Sequence, residues 1–373
     1  MPVTLGMNGF GRIGRYLLRL LANDEEIRFS AINARAANDA LAYLLKYDST
    51  YGVFPGEVGH DENGIIVNGR HITVTRCQAG QWEWGRLGVD MVVESTGTIK
   101  DREGLARHLE CGAKKVIISA PGKGVDAMIV MGVNQDVYDP AKDHILSAAS
   151  CTTNCLAPAV KVIHENFGFR HGLMTTIHSY TMSQRILDGT HKDWRRGRTA
   201  GVSMVPSSTG AAKAVGVVMP ELAGRINGMS VRVPTFDCSL VDLTCEVEKP
   251  CDAAAVNAAL KAASQGALRE NMGFSEEPLV SIDYRGSTYG GVVDALSTQV
   301  LQDTMVKLLI WYDNESGFTN QLLRLVRMVG RSLSLTRGAR PPRHGGKMAR
   351  AAASPGMRRP CFCILFPAAG SAP

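Results

Sequence analysis

The sequence predicts two α/β domains: a doubly wound, mostly parallel sheet, then an α+β domain with a mostly antiparallel sheet. Three observations predict this. Short β-branched strands alternate with helical patterns through residues 1–150, the signature of parallel strands joined by helical crossovers. A glycine-rich turn, Gly9-Phe10-Gly11-Arg12-Ile13-Gly14, follows the first strand and opens the first helix. Beyond Cys151 the strands lengthen and lose their regular crossovers, as antiparallel neighbours can. A chain of 373 residues, against roughly 150 for a typical domain, has room for both.

The elements are expected in this order. A strand at residues 2–7 leads to a helix at 12–22 with Leu17, Leu20 and Leu21 on one face, then a strand at 27–32. Asn68-Gly69, between apolar runs at 65–67 and 72–74, marks a two-residue hairpin turn. Strands follow at 91–94, 115–119 and 127–130, with a helix at 101–111. Residues 151–167 read as a long apolar helix. Next come strands at 173–178, 228–233 and 239–247, helices at 210–217 and 253–263, a strand at 304–312 and a closing helix at 317–330.

Composition excludes several classes. Apolar residues at 45% and charged residues at 20% are ordinary for a globular protein. No apolar run reaches the ~18 residues of a membrane span. The start lacks the pattern of a signal peptide, so nine Cys are expected as reduced thiols in the cytoplasm. The net charge of +6 belongs to the end: residues 332–373 hold seven of the 41 Lys and Arg and no acid. The preceding body is near neutral, which argues against nucleic-acid binding by it. The tail also holds six of the 16 Pro, a composition expected to be disordered.

Two motifs carry chemistry. Glycines at positions 9, 11 and 14 permit a tight turn and the approach of a pyrophosphate to free N–H groups at a helix start, the Rossmann arrangement for a dinucleotide. Alone the triplet is weak; between strand and helix it is strong. In Ser150-Cys151-Thr152-Thr153-Asn154, a cysteine begins a helix, where the dipole is expected to lower its thiol pKa. Most cysteines are inert and buried, as Cys155 is expected to be. His178 ends a strand and would supply the base.

The segments ASCTTNCLAP, HSYT with QRILDGTHKDWRRGR, PSSTGAAKAVG, RVPT and WYDNESGF occur in an order that resembles the phosphorylating (type I) glyceraldehyde-3-phosphate dehydrogenases, over about residues 3 to 331. The resemblance implies a Rossmann domain at 1–150, a catalytic domain at 151–316, a helix at 317–331 returning to the first domain, and a tail at 332–373 foreign to the family. It implies a homotetramer using glyceraldehyde 3-phosphate, inorganic phosphate and NAD, with no metal and no membrane or nucleic-acid partner. Cys151 is then the nucleophile and His178 the base. Thr181 and Arg232 would hold the substrate phosphate. Ser150, Thr152, Thr153, Arg196, Thr209 and Gly210 would hold inorganic phosphate. Gly9, Gly11, Arg12, Ile13, Gly14, Ala34, Arg35, Ser119 and Asn314 would contact the cofactor, Asn314 orienting the carboxamide. Ser183 stands where many members have Asp, and Phe318 where Tyr is usual.

Two other readings compete: an erythrose-4-phosphate dehydrogenase, against which STGAAKA argues, and nucleic-acid binding through the basic tail. Plastid members carry a regulatory disulfide in an acidic extension; Cys361 and Cys363 sit in a basic one, at a spacing poor for a bridge. A dispensable tail is expected. Cofactor choice is where the sequence departs most. The pattern expects an acid about twenty residues past the last glycine; Ala34 stands there, where relatives read Asp. Arg35 follows, and Gly189-Thr190 replace a Leu-Pro frequent in NAD-restricted relatives. Use of NADP beside NAD is therefore expected.

Overall fold

The computed structural model describes residues 2–338. Cys361, Cys363, CFCILFP and the rest of the basic tail from residue 339, with the expectations stated for them, lie outside the described residues.

β1 (Val3–Asn8), α1 (Arg12–Leu21), β2 (Ile27–Asn33) and α2 (Asn38–Lys46) open the first domain. A short ribbon of β3 (Tyr47–Asp48) and β4 (Gly52–Val53) follows, then β5 (Val58–His60), β6 (Gly64–Val67) and β7 (Arg70–Thr75). The domain continues with β8 (Met91–Glu94), α3 (Arg102–Glu110), β9 (Lys115–Ile118), β10 (Ala127–Met128) and β11 (Ile145–Ser147). Among the described residues its sheet runs β10-β11-β9-β8-β1-β2-β7-β6-β5. The pairs from β10 to β7 are parallel; β6 and β5 add antiparallel. Strand order reverses at β1, flanked by β2 and β8, which opens a crevice at the carboxyl ends of these strands. The expected hairpin is present, with Asn68 at φ 47° and Gly69 at φ 74°.

The second domain contains α4 (Cys151–Phe167), β12 (Phe169–Ser179), β13 (Val205–Ser208), α5 (Ala211–Val218), β14 (Ile226–Val233) and β15 (Ser239–Val247). It then adds α6 (Ala253–Gln265), β16 (Met272–Ser275), β17 (Gly291–Leu301) and β18 (Met305–Tyr312). Its sheet, β13-β14-β12-β15-β18-β17-β16, is mostly antiparallel, with β12–β14 and β16–β17 parallel. β15 alternates strictly between buried and half-buried positions, as a sheet with one covered face must. α4, α5 and α6 supply that cover through Leu156, Val160, Val215, Val256 and Leu260.

α7 (Ser316–Gly338) returns to the first domain. Leu322, Leu325, Val326 and Val329 are buried in the same core as Val3, Leu17 and Ile27. The boundary expected at Arg331 falls inside this helix. Ser332 Oγ lies 3.1 Å from the Tyr138 hydroxyl, and Leu333 is buried in the first core; these contacts carry the helix past the point where the family motifs end.

A seam of hydrogen bonds joins the domains. The Tyr51 hydroxyl donates to Asp313 at 2.8 Å and accepts from the Ser316 amide at 3.1 Å. Arg12 pairs with both Asp48 and Glu315. Asp237 lies carboxyl to carboxyl with Asp313. Burial and the neighbouring Asp313 carboxyl push Asp237 well above the usual carboxylate range, which favours its protonated form.

Candidate active site

Ala149, fully buried, holds a left-handed backbone at φ 58°, a conformation costing a non-glycine residue about 1 kcal/mol. It turns the chain from β11 into α4. Ser150 then caps the helix, its Oγ accepting from the Thr153 amide at 3.1 Å. Cys151 is thereby the first helical residue, with Sγ beside the free amides of the helix start.

His178 arrives from β12. The β12–β14 register sets it directly opposite Arg232. Cys151 Sγ lies 3.5 Å from His178 Nε2. Arg232 Nη1 lies 2.8 Å from His178 Nδ1 and donates to the Ser179 carbonyl at 3.1 Å, while Nδ1 itself lies 2.8 Å from that carbonyl. The Tyr312 ring meets the imidazole edge-on, and its hydroxyl lies within 2.9 Å of the Thr152 and Thr176 hydroxyls.

The electrostatics correct one expectation. Burial raises the Cys151 thiol above its ordinary value; the Arg232 charge, the Thr152 hydroxyl and the local amides only partly offset it. Burial, then Arg232, pushes His178 down to about 3. The resting pair is therefore neutral thiol and neutral imidazole. Desolvation outweighs the helix dipole that the sequence reading relied on.

Thr181 follows β12 by two residues, its Oγ1 2.9 Å from the Ser183 hydroxyl, while Arg232 stands beside His178. The starts of α4 and α5 adjoin: Thr153 Oγ1 donates to the Ala211 carbonyl at 3.4 Å. This brings Ser150, Thr152, Thr209 and Gly210 together at two converging helix ends, a setting that favours an anion. Thr153 itself is fully buried and committed to Ser150 and Ala211. Arg196 donates to the Ser208 carbonyl at 3.2 Å, on the strand leading to Thr209.

The crevice at the switch point is a cleft of about 700 Å³, whose walls include Asn8, Gly9, Gly11, Asn33, Ala34 and Arg35. Its shape fits a dinucleotide. Gly9, at φ 90°, would place a Cβ 2.7 Å from the Thr96 amide, whereas space beside Gly11 is open. Gly14 is packed against the Gly9 carbonyl and tightens the turn. Of the other predicted contacts, Ile13 packs against the core, the Arg12 side chain is held in the domain seam, and Ser119 donates to the Glu94 carbonyl at 3.1 Å. Asn314 is buried, its Oδ1 accepting from Ser239 Oγ at 2.7 Å. Ser239 also accepts from the Ser179 amide at 3.1 Å, linking Asn314 to the residue after His178. Phe318 is buried in the first core. Sequence reasoning missed Ser239 and Tyr312, and also Arg76 and Trp82, which line the cleft. Tyr312 lay within WYDNESGF, the one available signal.

Two family models match, described as the NAD binding domain of glyceraldehyde 3-phosphate dehydrogenase over residues 3–102 and its C-terminal domain over residues 150–314. The chain belongs to the glyceraldehyde 3-phosphate dehydrogenase family. It is 53% identical over 330 residues to the glyceraldehyde-3-phosphate dehydrogenase of Geobacillus stearothermophilus, covering 88% of this chain and 98% of the relative. Glyceraldehyde-3-phosphate dehydrogenase 1 of Bacillus subtilis is 51% identical over 332 residues, with 89% and 99% covered. The Priestia megaterium relative is 50% identical over 330 residues, with 88% and 98% covered. Membership makes the chain an NAD-dependent oxidoreductase with a Rossmann domain. No helix among the described residues is long and apolar enough to cross a membrane.

Proposed function

We propose that this protein converts D-glyceraldehyde 3-phosphate and inorganic phosphate to 1,3-bisphosphoglycerate with NAD, in the cytoplasm, as a step of glycolysis and gluconeogenesis. The observation that carries the reading is the 3.5 Å approach of Cys151 Sγ to His178 Nε2 at the head of α4, with Arg232 alongside.

Cys151 gives its proton to His178 Nε2 and its sulfur bonds the aldehyde carbon, forming a thiohemiacetal. The Cys151 amide and the imidazolium steady the oxygen as charge builds on it, and the imidazolium then returns its proton to that oxygen, leaving His178 neutral. NAD, when bound, supplies the hydride acceptor. His178 takes the hydroxyl proton during this oxidation, which leaves a thioester on Cys151. An oxygen of inorganic phosphate then attacks the thioester carbon, the C–S bond breaks, and the thiolate is released. Thr181 and Arg232 hold the substrate phosphate, Arg232 through a guanidinium fork. Ser150, Thr152, Thr209, Gly210 and Arg196 hold the attacking phosphate, and Asn314 orients the carboxamide of the cofactor.

A homotetramer belongs to the same proposal. Met182, Ile186, Leu187, Trp194, Val202 and Met204, all in the segment between β12 and β13, are largely exposed; apolar side chains concentrated in this way favour burial against another copy. Initial rates with glyceraldehyde 3-phosphate and NAD test the activity. Reduction that requires inorganic phosphate and far exceeds that with erythrose 4-phosphate is expected. Phosphate-independent reduction, or none, would refute the proposal.

A further inference from the structure

The adenosine end of the cleft carries a charge pattern unlike that of a site built for two free ribose hydroxyls. In a doubly wound sheet the adenosine ribose lies at the carboxyl end of β2, where an acid binds its hydroxyls or an arginine accepts a 2′-phosphate. Here β2 ends at Asn33, and Ala34 and Arg35 follow. The neighbouring parallel strand, β7, ends at Thr75, which pairs with Asn33; Arg76 follows immediately. Two adjacent strands thus deliver an arginine each to the same rim. Ala34, Arg35, Arg76 and Gln78 all line the cleft, and none of its lining residues is Asp or Glu.

The two arginines are held differently. Arg76 Nη2 donates to the Ala36 carbonyl at 2.9 Å and to Asn38 Oδ1 at 2.8 Å, which fixes the guanidinium against the turn that follows Ala34 and Arg35. Its other nitrogens, and the whole Arg35 side chain, have no hydrogen-bond or ion-pair partner among the described residues. The Ala34 amide donates to the Thr75 carbonyl at 3.0 Å, so the methyl group replaces a carboxylate on an anchored backbone. Guanidinium groups offer forked donors matched to phosphate oxygens, and one held in place loses less freedom on binding.

We propose that Arg35 and Arg76, with Ala34 between them, form a subsite for the 2′-phosphate of an NADP-type dinucleotide. The proposal rests on the nicotinamide-dependent reading above and specifies which dinucleotides the cleft accepts. A carboxylate at position 34 would repel a phosphate dianion; its absence removes that barrier, and the arginines supply attraction.

The test is calorimetric titration of the full-length protein with adenosine 2′,5′-bisphosphate, adenosine 3′,5′-bisphosphate and 5′-AMP. The 2′,5′-isomer is expected to bind at least ~10-fold more tightly than AMP, with the 3′,5′-isomer gaining much less. Ala34→Asp should abolish the preference, and Arg35→Ser and Arg76→Ser should each reduce the ratio several-fold. The advantage should shrink as salt rises, because these side chains are exposed. Equal affinity for the bisphosphates and AMP, or equal gains for both isomers, overturns the subsite, as does a preference that survives Ala34→Asp. Rates separate this result from the broader reading. NAD-driven, phosphate-dependent oxidation with no 2′-phosphate preference removes the subsite alone. A 2′-phosphate preference in a protein that oxidises no aldehyde supports the subsite and removes the reading.

Discussion

Replacing Cys151 by serine exchanges a thiol for a hydroxyl that stays protonated at any working pH and is a far poorer nucleophile. Phosphorylating oxidation should fall by at least ~10³-fold while NAD affinity, set in the other domain, changes little; turnover and equilibrium titration measure the two. His178→Asn removes the proton acceptor 3.5 Å from Sγ and should slow acylation by about 10²–10⁴, read in single-turnover rates. The same histidine makes a stability prediction. It is held at about 3, below the ordinary 6.5 or so of the unfolded chain. Between these values the unfolded state binds a proton that the folded state refuses, so stability falls as pH drops from about 6.5 toward 3. Melting temperatures across that window should fall less steeply for His178→Asn than for the unmodified protein. The nucleophile and base were legible in the sequence because a helix start and a strand end are local features. Their resting protonation was not, since it depends on burial and on Arg232, 54 positions away in the chain.

Elements differ in how plainly the sequence announces them. α4 matches its expected span because apolar side chains cover most of its surface and Ser150 caps it. β17, eleven residues long, was missed. Its register shifts between Asp294 and Gln299, which breaks the alternation, and Asp294 is buried because Trp311 Nε1 donates to it at 3.1 Å. α2 was missed because Tyr43 and Leu44 on it face solvent, blurring its apolar stripe. Just before β15, burial and Asp313 push Asp237 up to about 8, with Tyr51, Glu315, Cys238 and Arg285 as neighbouring ionisable groups. An acid whose pKa is raised on folding contributes stability that is complete below its unfolded value and is lost as pH rises through the folded one. Asp237→Asn keeps a donor toward Asp313 but has no proton to lose. Its melting temperature should decline less between about pH 4 and 8 than that of the unmodified protein. At α7, cutting after Gly338 should leave thermal stability essentially unchanged. Cutting after Arg331 removes buried Leu333 and should cost roughly 1–3 kcal/mol, measured by denaturant titration.

At the scale of the whole molecule, the proposed homotetramer makes the exposed apolar segment between β12 and β13 a candidate contact between copies. Trp194, 88% exposed, offers the largest of these surfaces, and Trp194→Asp would bury a charge against apolar neighbours. Sedimentation should show tetramers for the unmodified protein and smaller species for the variant at micromolar concentration. A second whole-molecule property follows from α7, which closes the first domain's core from the far end of the chain. As the chain leaves the ribosome, the first domain emerges with β1, β2 and α1 lacking the helix that covers them. Leu17, Leu21 and Ile27, all buried in the finished core, stay uncovered until Leu322 to Val329 have been made. The first half of the protein therefore waits, with apolar surface showing, for almost all of the second half. In a cell that interval is when it most needs a chaperone, and a ribosome stalled late in the message would release a chain with an open core.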